Sequence, residues 1–153
     1  MLALPIEGSL DPHEVINEEY QRFIQTTGHN QPEDWNHNRY PEGTGNDPVV
    51  LVAWHDAVKY CQWAGDKRLP SVEDWLGACE AGNLGKIGDV WEWTSTQLTG
   101  EGGNFIALCG PMDTCDCSHR YRPHWKNVVK GFRCMGGNQQ MTSVAEPDKN
   151  FIQ

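Results

Sequence analysis

The sequence predicts a single α+β domain, rich in loops, and three observations point there. Helical spacing of apolar residues dominates the first half of the chain. Short strand-like runs broken by Gly-rich turns follow Gly82. Sixteen Gly and nine Pro among 153 residues require much irregular backbone between these elements. That length suits one domain, 1–153, built on one core. Only 38% of residues are hydrophobic, so seven Trp must supply the missing apolar area in large pieces.

The opening stretch, MLALPIEGSLDP, lacks the basic start and apolar length of a secretory signal, which predicts a cytosolic chain. Residues 14–28, EVINEEYQRFIQTTG, then place Ile16, Tyr20, Phe23 and Ile24 at helical spacing. Asn17 is the expected N-cap and Gly28 the expected stop, with Glu18 and Glu19 favoured in the first turn by the helix dipole. Residues 29–48 carry many turn formers and no period, which predicts a long loop. His29, His37 and the nearby acids have no regular metal-ligand spacing, so a solvated loop is the better reading.

VVLVAW (49–54) predicts a short buried strand from its β-branched content. It leads into HDAVKYCQWAG, where Ala57, Val58, Cys61 and Ala64 mark one helical face. In RLPSVEDWLGACEAG, Ser71 and Asp74 form a capping pair ahead of the apolar stripe Val72, Trp75, Leu76 and Cys79. DVWEWTST, NFIALCG and VVKGFRCM are the expected strands. The tail from Gly136 has no strong period, although Phe151 and Ile152 could dock.

A net charge of −9 argues against a nucleic-acid partner. Arg120, Arg122, Lys126, Lys130 and Arg133 are the only local basic concentration. They read either as a site for an anionic ligand or as a solvated face balancing the acidic half. No run approaches ~20 consecutive apolar residues, so no membrane span is expected.

Four strings stand in order: PVVLVAWHDAVKYCQWAG, KRLPSVEDW, GDVWEWTS and KGFRC. Together they resemble the formylglycine-generating enzyme family, also called sulfatase-modifying factors. EVINEEYQRFIQTTGH is similar to that family's opening strand and helix. The likeness covers a core at about 14–134 and leaves 135–153 as a C-terminal tail. It implies a C-type-lectin-like fold, with two main helices packed on small twisted antiparallel sheets. Only EAGNLGKI separates Cys79 from Gly88, where the family has a much longer stretch, so the chain resembles a shortened form.

The resemblance also implies ligands. Trp91 and Trp93 would anchor a core strand beside a bound calcium ion, with Asp89, the Val90 carbonyl and the Glu92 carboxylate as hard oxygen donors. The alternative is that no ion is held and Glu92 pairs with a core Arg. By position the family's disulfides would join Cys61 to Cys134 and Cys79 to Cys117. That pattern suits an oxidising compartment, whereas a cytosolic chain would keep buried free thiols.

Cys109 and Cys115 are then left as a candidate catalytic pair. In the family such a pair follows a GGS turn, binds copper(I) and oxidises a peptide cysteine to formylglycine; soft thiolates select copper(I). Here Gly102-Gly103 supplies the turn and Asn104 replaces its serine. Five residues separate the two cysteines, one more than in the family, and a second alignment places CGPM at the turn and leaves Cys109 outside the pair. Whether they converge on one metal is therefore open at this level. Cys115 and Cys117 stand closer than usual zinc ligands.

Two functions follow. The reading favoured is a non-catalytic module that binds a protein, peptide or small ligand through its loops, using Trp35, Tyr40, Asn104, Tyr121 and Trp125. The alternative is a copper-dependent oxidase acting on a peptide cysteine or related thiol through Cys109 and Cys115.

Overall fold

The computed structural model describes residues 9–100, 102–111 and 114–136; the expected docking of Phe151 and Ile152 lies outside them. The order is β1 (Ser9–Leu10), α1 (Asn17–Thr27), α2 (Trp54–Trp63), α3 (Val72–Glu80), β2 (Trp91–Gly100), β3 (Gly103–Cys109), β4 (His119–Tyr121), β5 (Lys130–Gly131) and β6 (Met135–Gly136). The α+β, loop-rich architecture is as expected, with three helices rather than two.

All three helices start with one device. A carboxylate at the third helical position reaches back to the N-cap N–H: Glu19 accepts from Ile16 at 3.1 Å, Asp56 from Ala53 at 2.8 Å and Asp74 from Ser71 at 3.1 Å. Only α3 has the reciprocal half, in which the Asp74 N–H donates to Ser71 Oγ at 3.0 Å. Asn17, expected to cap α1, is its first helical residue, and its amide donates to the Thr44 carbonyl at 2.8 Å to hold the 29–48 loop. Gly28 ends α1 with φ of 79°, a conformation in which a Cβ is strained.

The expected strand at 49–54 is not one. Val49 and Val52 are buried, but the segment's backbone bonds go to scattered partners: the Val49 N–H to Val15 and the Leu51 N–H to Asn127. Burial without a ladder explains the β-branched run, which a period alone cannot tell from a strand. Two indoles pin this segment against β2: Trp93 Nε1 donates to the Val52 carbonyl at 3.0 Å and Trp54 Nε1 to the Thr94 carbonyl at 2.9 Å.

The main sheet runs β4-β3-β2-β5, and β1 pairs with β6 in a separate ribbon. β2 and β3 are antiparallel with an irregularity between Trp93 and Gln97. β5 lies parallel to β2, so the sheet is mixed rather than wholly antiparallel. One side of β2 and β3 gives Trp93, Ile106 and Leu108 to the core. There Tyr20, Phe23, Tyr60 and Phe132 pack ring on ring, with Tyr20 and Tyr60 stacked at 5.7 Å. The other side meets α3, whose Trp75 is fully buried while Val72, Leu76 and Cys79 are half-buried.

The α3 cap gives a clean test. Ser71→Ala removes the acceptor for the Asp74 N–H and should cost about 1 kcal/mol in urea unfolding of the oxidised protein. An unchanged midpoint would show that Asp74 alone caps the helix.

Candidate functional site

Three groups of residues were candidates: the calcium set on β2, the cysteines around β3, and the aromatics of the two loops. The structure treats each differently.

Glu92 lies on β2, fully buried, and its side chain points at α3. Its Oε1 accepts from Arg133 Nε at 2.8 Å and from Trp75 Nε1 at 2.9 Å, and its Oε2 accepts from an Arg133 terminal nitrogen at 3.0 Å. Arg133 also donates to the carbonyls of Asp11 at 3.1 Å and Gly85 at 2.6 Å. Glu14, also buried, sits 3.8 Å from the same guanidinium and accepts from the N–H groups of Ile87 and Gly88. The Glu92 carboxylate is thus satisfied by a guanidinium and an indole, and a calcium ion beside it would face a fixed positive charge. Asp89 is exposed and lies in the bend at 87–89 ahead of β2, whereas Glu92 is fully buried. The Val90 carbonyl is packed so close to Gly110 that a Cβ there would lie 2.7 Å from it. These residues do not fit calcium, and Glu92 takes the other option, a core Arg. Among the described residues no three His, Cys, Asp or Glu groups gather to hold a metal; His29 is instead paired with Asp56 at 2.7 Å.

All six cysteines form disulfides: Cys61–Cys134, Cys79–Cys115 and Cys109–Cys117. The first is the pairing the resemblance implies. The second corrects the expected Cys79–Cys117 bridge, and the return of the chain from β3 into β4 explains it. Leu108 stands opposite His119, so the chain returning into β4 lies alongside the end of β3, and the Gly110 N–H donates to the Asp116 carbonyl at 2.9 Å. Cys117 precedes the ladder, one residue out of its register, and there bonds Cys109, while Cys115 bonds Cys79 of α3. Cys109 and Cys115 belong to different bridges and neither is a thiolate, so the expected copper(I) pair is not assembled.

The aromatics form two pairs. Trp35 packs edge-on against Tyr40 at 5.8 Å, but Trp35 is 5% exposed and belongs to the core through Tyr20, which corrects its expected place on a contact surface. Tyr40 is half-buried. Tyr121 and Trp125 meet at 4.9 Å; Trp125 is 42% exposed and Tyr121 rests on Trp93. Asn104 is exposed near the tip of the β2–β3 hairpin.

Around the second pair lie three members of the basic concentration, Arg120, Arg122 and Lys130, with His119, which the sequence did not single out. Along β4 and the residue after it, alternation sends Arg120 and Arg122 to one side, where both guanidinium groups lie over Phe105 at 4.7 and 4.4 Å. His119 and Tyr121 go to the other side. His119 stacks near Trp91 at 4.8 Å with its Nε2 buried and without a partner. Lys130, 5% exposed, places its ammonium 4.6 Å from the Tyr121 ring centre. Burial lowers the pKa of both His119 and Lys130, and the Lys130 charge lowers His119 further against an opposing pull from Asp116. The signal in the sequence was the alternation HRYR, which reads as a two-faced strand once β3 is placed.

Comparison with known proteins places this geometry. Residues 9–87, just over half of the chain, match the model of the FGE-sulfatase family, described as a sulfatase-modifying factor enzyme 1-like domain. The chain belongs to this family. The inactive C-alpha-formylglycine-generating enzyme 2 of Mus musculus is 41% identical over a 165-residue alignment covering 63% of this chain and 53% of that protein. The formylglycine-generating enzyme of Mus musculus is 43% identical over 53 residues, covering 32% of this chain and 14% of that enzyme. The chain thus spans about half, or far less, of the curated relatives it matches. The crystal structure of CarF shares the fold, with a TM-score of 0.63 at 15% identity over 90% of this chain and 94% of that one.

Two predictions follow from the charged groups. Arg133→Met leaves Glu92 and Glu14 buried without their cation and should cost about 3–5 kcal/mol in chemical denaturation, with no recovery on adding millimolar calcium; calcium rescue would contradict the fit described above. His119 is held neutral in the fold, so the unfolded chain takes up its proton first, near the ordinary value of 6.5. Its contribution is fully present above that pH and is lost as pH falls through the lowered folded value. The Tm of the wild type should therefore fall more steeply below pH 6.5 than that of His119→Phe; parallel pH profiles would refute this.

Proposed function

From membership of the sulfatase-modifying factor family, we propose that the protein is a non-catalytic member, a module that binds a protein, peptide or small ligand through its edge strand and loops. One observation carries this reading: Cys109 and Cys115, the candidate oxidase pair, are committed to separate disulfides with Cys117 and Cys79. Formylglycine chemistry needs thiolates that meet on one copper(I) ion. Here those sulfurs hold backbone together, one at the end of β3 and one against α3. The likeness to a relative whose printed name is an inactive formylglycine-generating enzyme supports the same reading.

Two further features agree. No helix among the described residues is long and apolar enough to cross a membrane. Three disulfides suit an oxidising compartment, and we place the protein in one. The exposed or half-exposed groups then available for contact are Tyr40, Asn104, Tyr121 and Trp125, joined by Arg120 and Arg122.

The test combines thiol counting with copper(I) titration. The native protein should show no titratable thiols, bind no stoichiometric copper(I) against a competing chelator, and leave a sulfatase-type cysteine peptide unoxidised under oxygen. One equivalent of tightly bound copper(I), lost in both Cys109→Ala and Cys115→Ala and accompanied by an aldehyde product, would establish the oxidase instead.

A further inference from the structure

We propose that β4 is a docking edge for an extended acidic peptide in which carboxylates alternate with aromatic or apolar residues, the carboxylates meeting Arg120 and Arg122. This rests on reading the protein as a binding module and names the partner of its edge strand.

Charge segregation is the first ground. Residues 117–136 contain five Arg or Lys and no Asp or Glu, in a chain whose net charge is −9. Arg133 is consumed inside by Glu92. Among the described residues, Arg120, Arg122, Lys126 and Lys130 form no salt bridge. Lys130 is buried, which leaves Arg120, Arg122 and Lys126 as a local surplus of positive charge for an anion to meet in a protein so acidic.

The second ground is how the cations are held. Arg120 and Arg122 both lie over the Phe105 ring, and Arg122 also lies 5.8 Å from the Trp125 ring centre. Cation–π contact holds each guanidinium beside the ring without using its N–H donors, which leaves those donors to receive carboxylates.

The third ground is topology. β4 is the end strand of its sheet, with β3 as its strand partner. Beyond that ladder, no backbone hydrogen bond among the described residues uses His119, Arg120 or Tyr121. A peptide added along such an edge alternates its side chains between the two faces. Residues two apart would meet Arg120 and Arg122, the residue between them would meet Tyr121 on the opposite side, and Trp125, which touches both Arg122 and Tyr121, would border the same edge. A second copy of β4 is a poor occupant, because it would set arginine against arginine. A nucleic acid is opposed by the net negative charge of the remainder.

The experiment uses the full oxidised chain and two fluorescein-labelled peptides of equal composition, EYEYEYE and EEEEYYY, read by fluorescence anisotropy. The alternating peptide should bind roughly tenfold tighter than the block peptide. Arg120→Gln/Arg122→Gln should weaken it roughly tenfold and flatten its salt dependence, with the Tm unchanged. Trp125→Ala, at an exposed position, should lower affinity for EYEYEYE more than for EEEEYYY. Equal binding of the two peptides, or full affinity in the double variant, overturns the proposal. So does self-association of the double variant in sedimentation without peptide binding by the wild type, since the arginines would then serve only to keep an edge strand from pairing. Those failures leave the copper and thiol results, and with them the module reading, untouched; oxidation of a cysteine peptide would remove that reading whatever EYEYEYE does.

Discussion

The buried pair of Glu92 and Arg133 is the interaction on which the rest of the structure depends. Removing two charges from water is costly, and their attraction only roughly offsets it, so the pair is not a source of large net stability. Its effect is on uniqueness. Arg133 donates to Glu92 on β2, to the Asp11 carbonyl ahead of α1 and to the Gly85 carbonyl after α3, while Trp75 of α3 donates to the same Glu92. Any packing that separates these four segments strands a charge in the interior. The alternation of Phe132, Arg133 and Cys134 extends this to the aromatic core: Phe132 packs on Tyr60 and Cys134 bonds Cys61, both on α2, while Arg133 turns the other way. Three consecutive residues thus join both sides of the sheet to the helices.

This arrangement decides the metal question for β2 as well. A calcium ion and a guanidinium compete for the same carboxylate oxygens, and Arg133 reaches Glu92 with two nitrogens from a covalently fixed position. The cysteines follow the same logic of prior commitment. Once the chain returns from β3 into β4, Cys117 is brought to Cys109, and Cys115 has Cys79 as its neighbour. The path of that return, rather than spacing along the chain, chooses which sulfurs meet.

That distinction separates what was legible in the sequence from what was not. The α3 start was legible because a capping box is local: Ser71 and Asp74 need only each other. The Gly28 stop and the burial of Tyr20, Phe23 and Ile24 were legible for the same reason. The family was legible from four strings in order. The segment at 49–54 was not, because burial and β-branching are shared by strands and by irregular core backbone, and its partners are set elsewhere. Trp35 was misplaced because a tryptophan in a polar loop looks like surface until Tyr20 covers it. The Cys79–Cys115 bridge was hidden because β4 has only three residues and no hydrophobic period of its own.

The candidate site shows the same division in one place. Its charge could be read from the sequence, as the only basic concentration in an acidic chain. Its meaning could not, because four of its five cations, which look equivalent in a string, have three different fates. Arg133 is internal, Lys130 is buried over Tyr121, and Arg120 with Arg122 lies over Phe105 beside an open strand edge. The solvated-face reading would require these cations to project into water and pair with nearby acids. Instead the two arginines lie close over one aromatic ring, and no described carboxylate forms a salt bridge with either. Holding two charged side chains in one orientation costs conformational entropy, which stacking offsets only in part. A surface that bears that cost is already arranged for a ligand, and the alternation of β4 sets the spacing at which that ligand must present its charges.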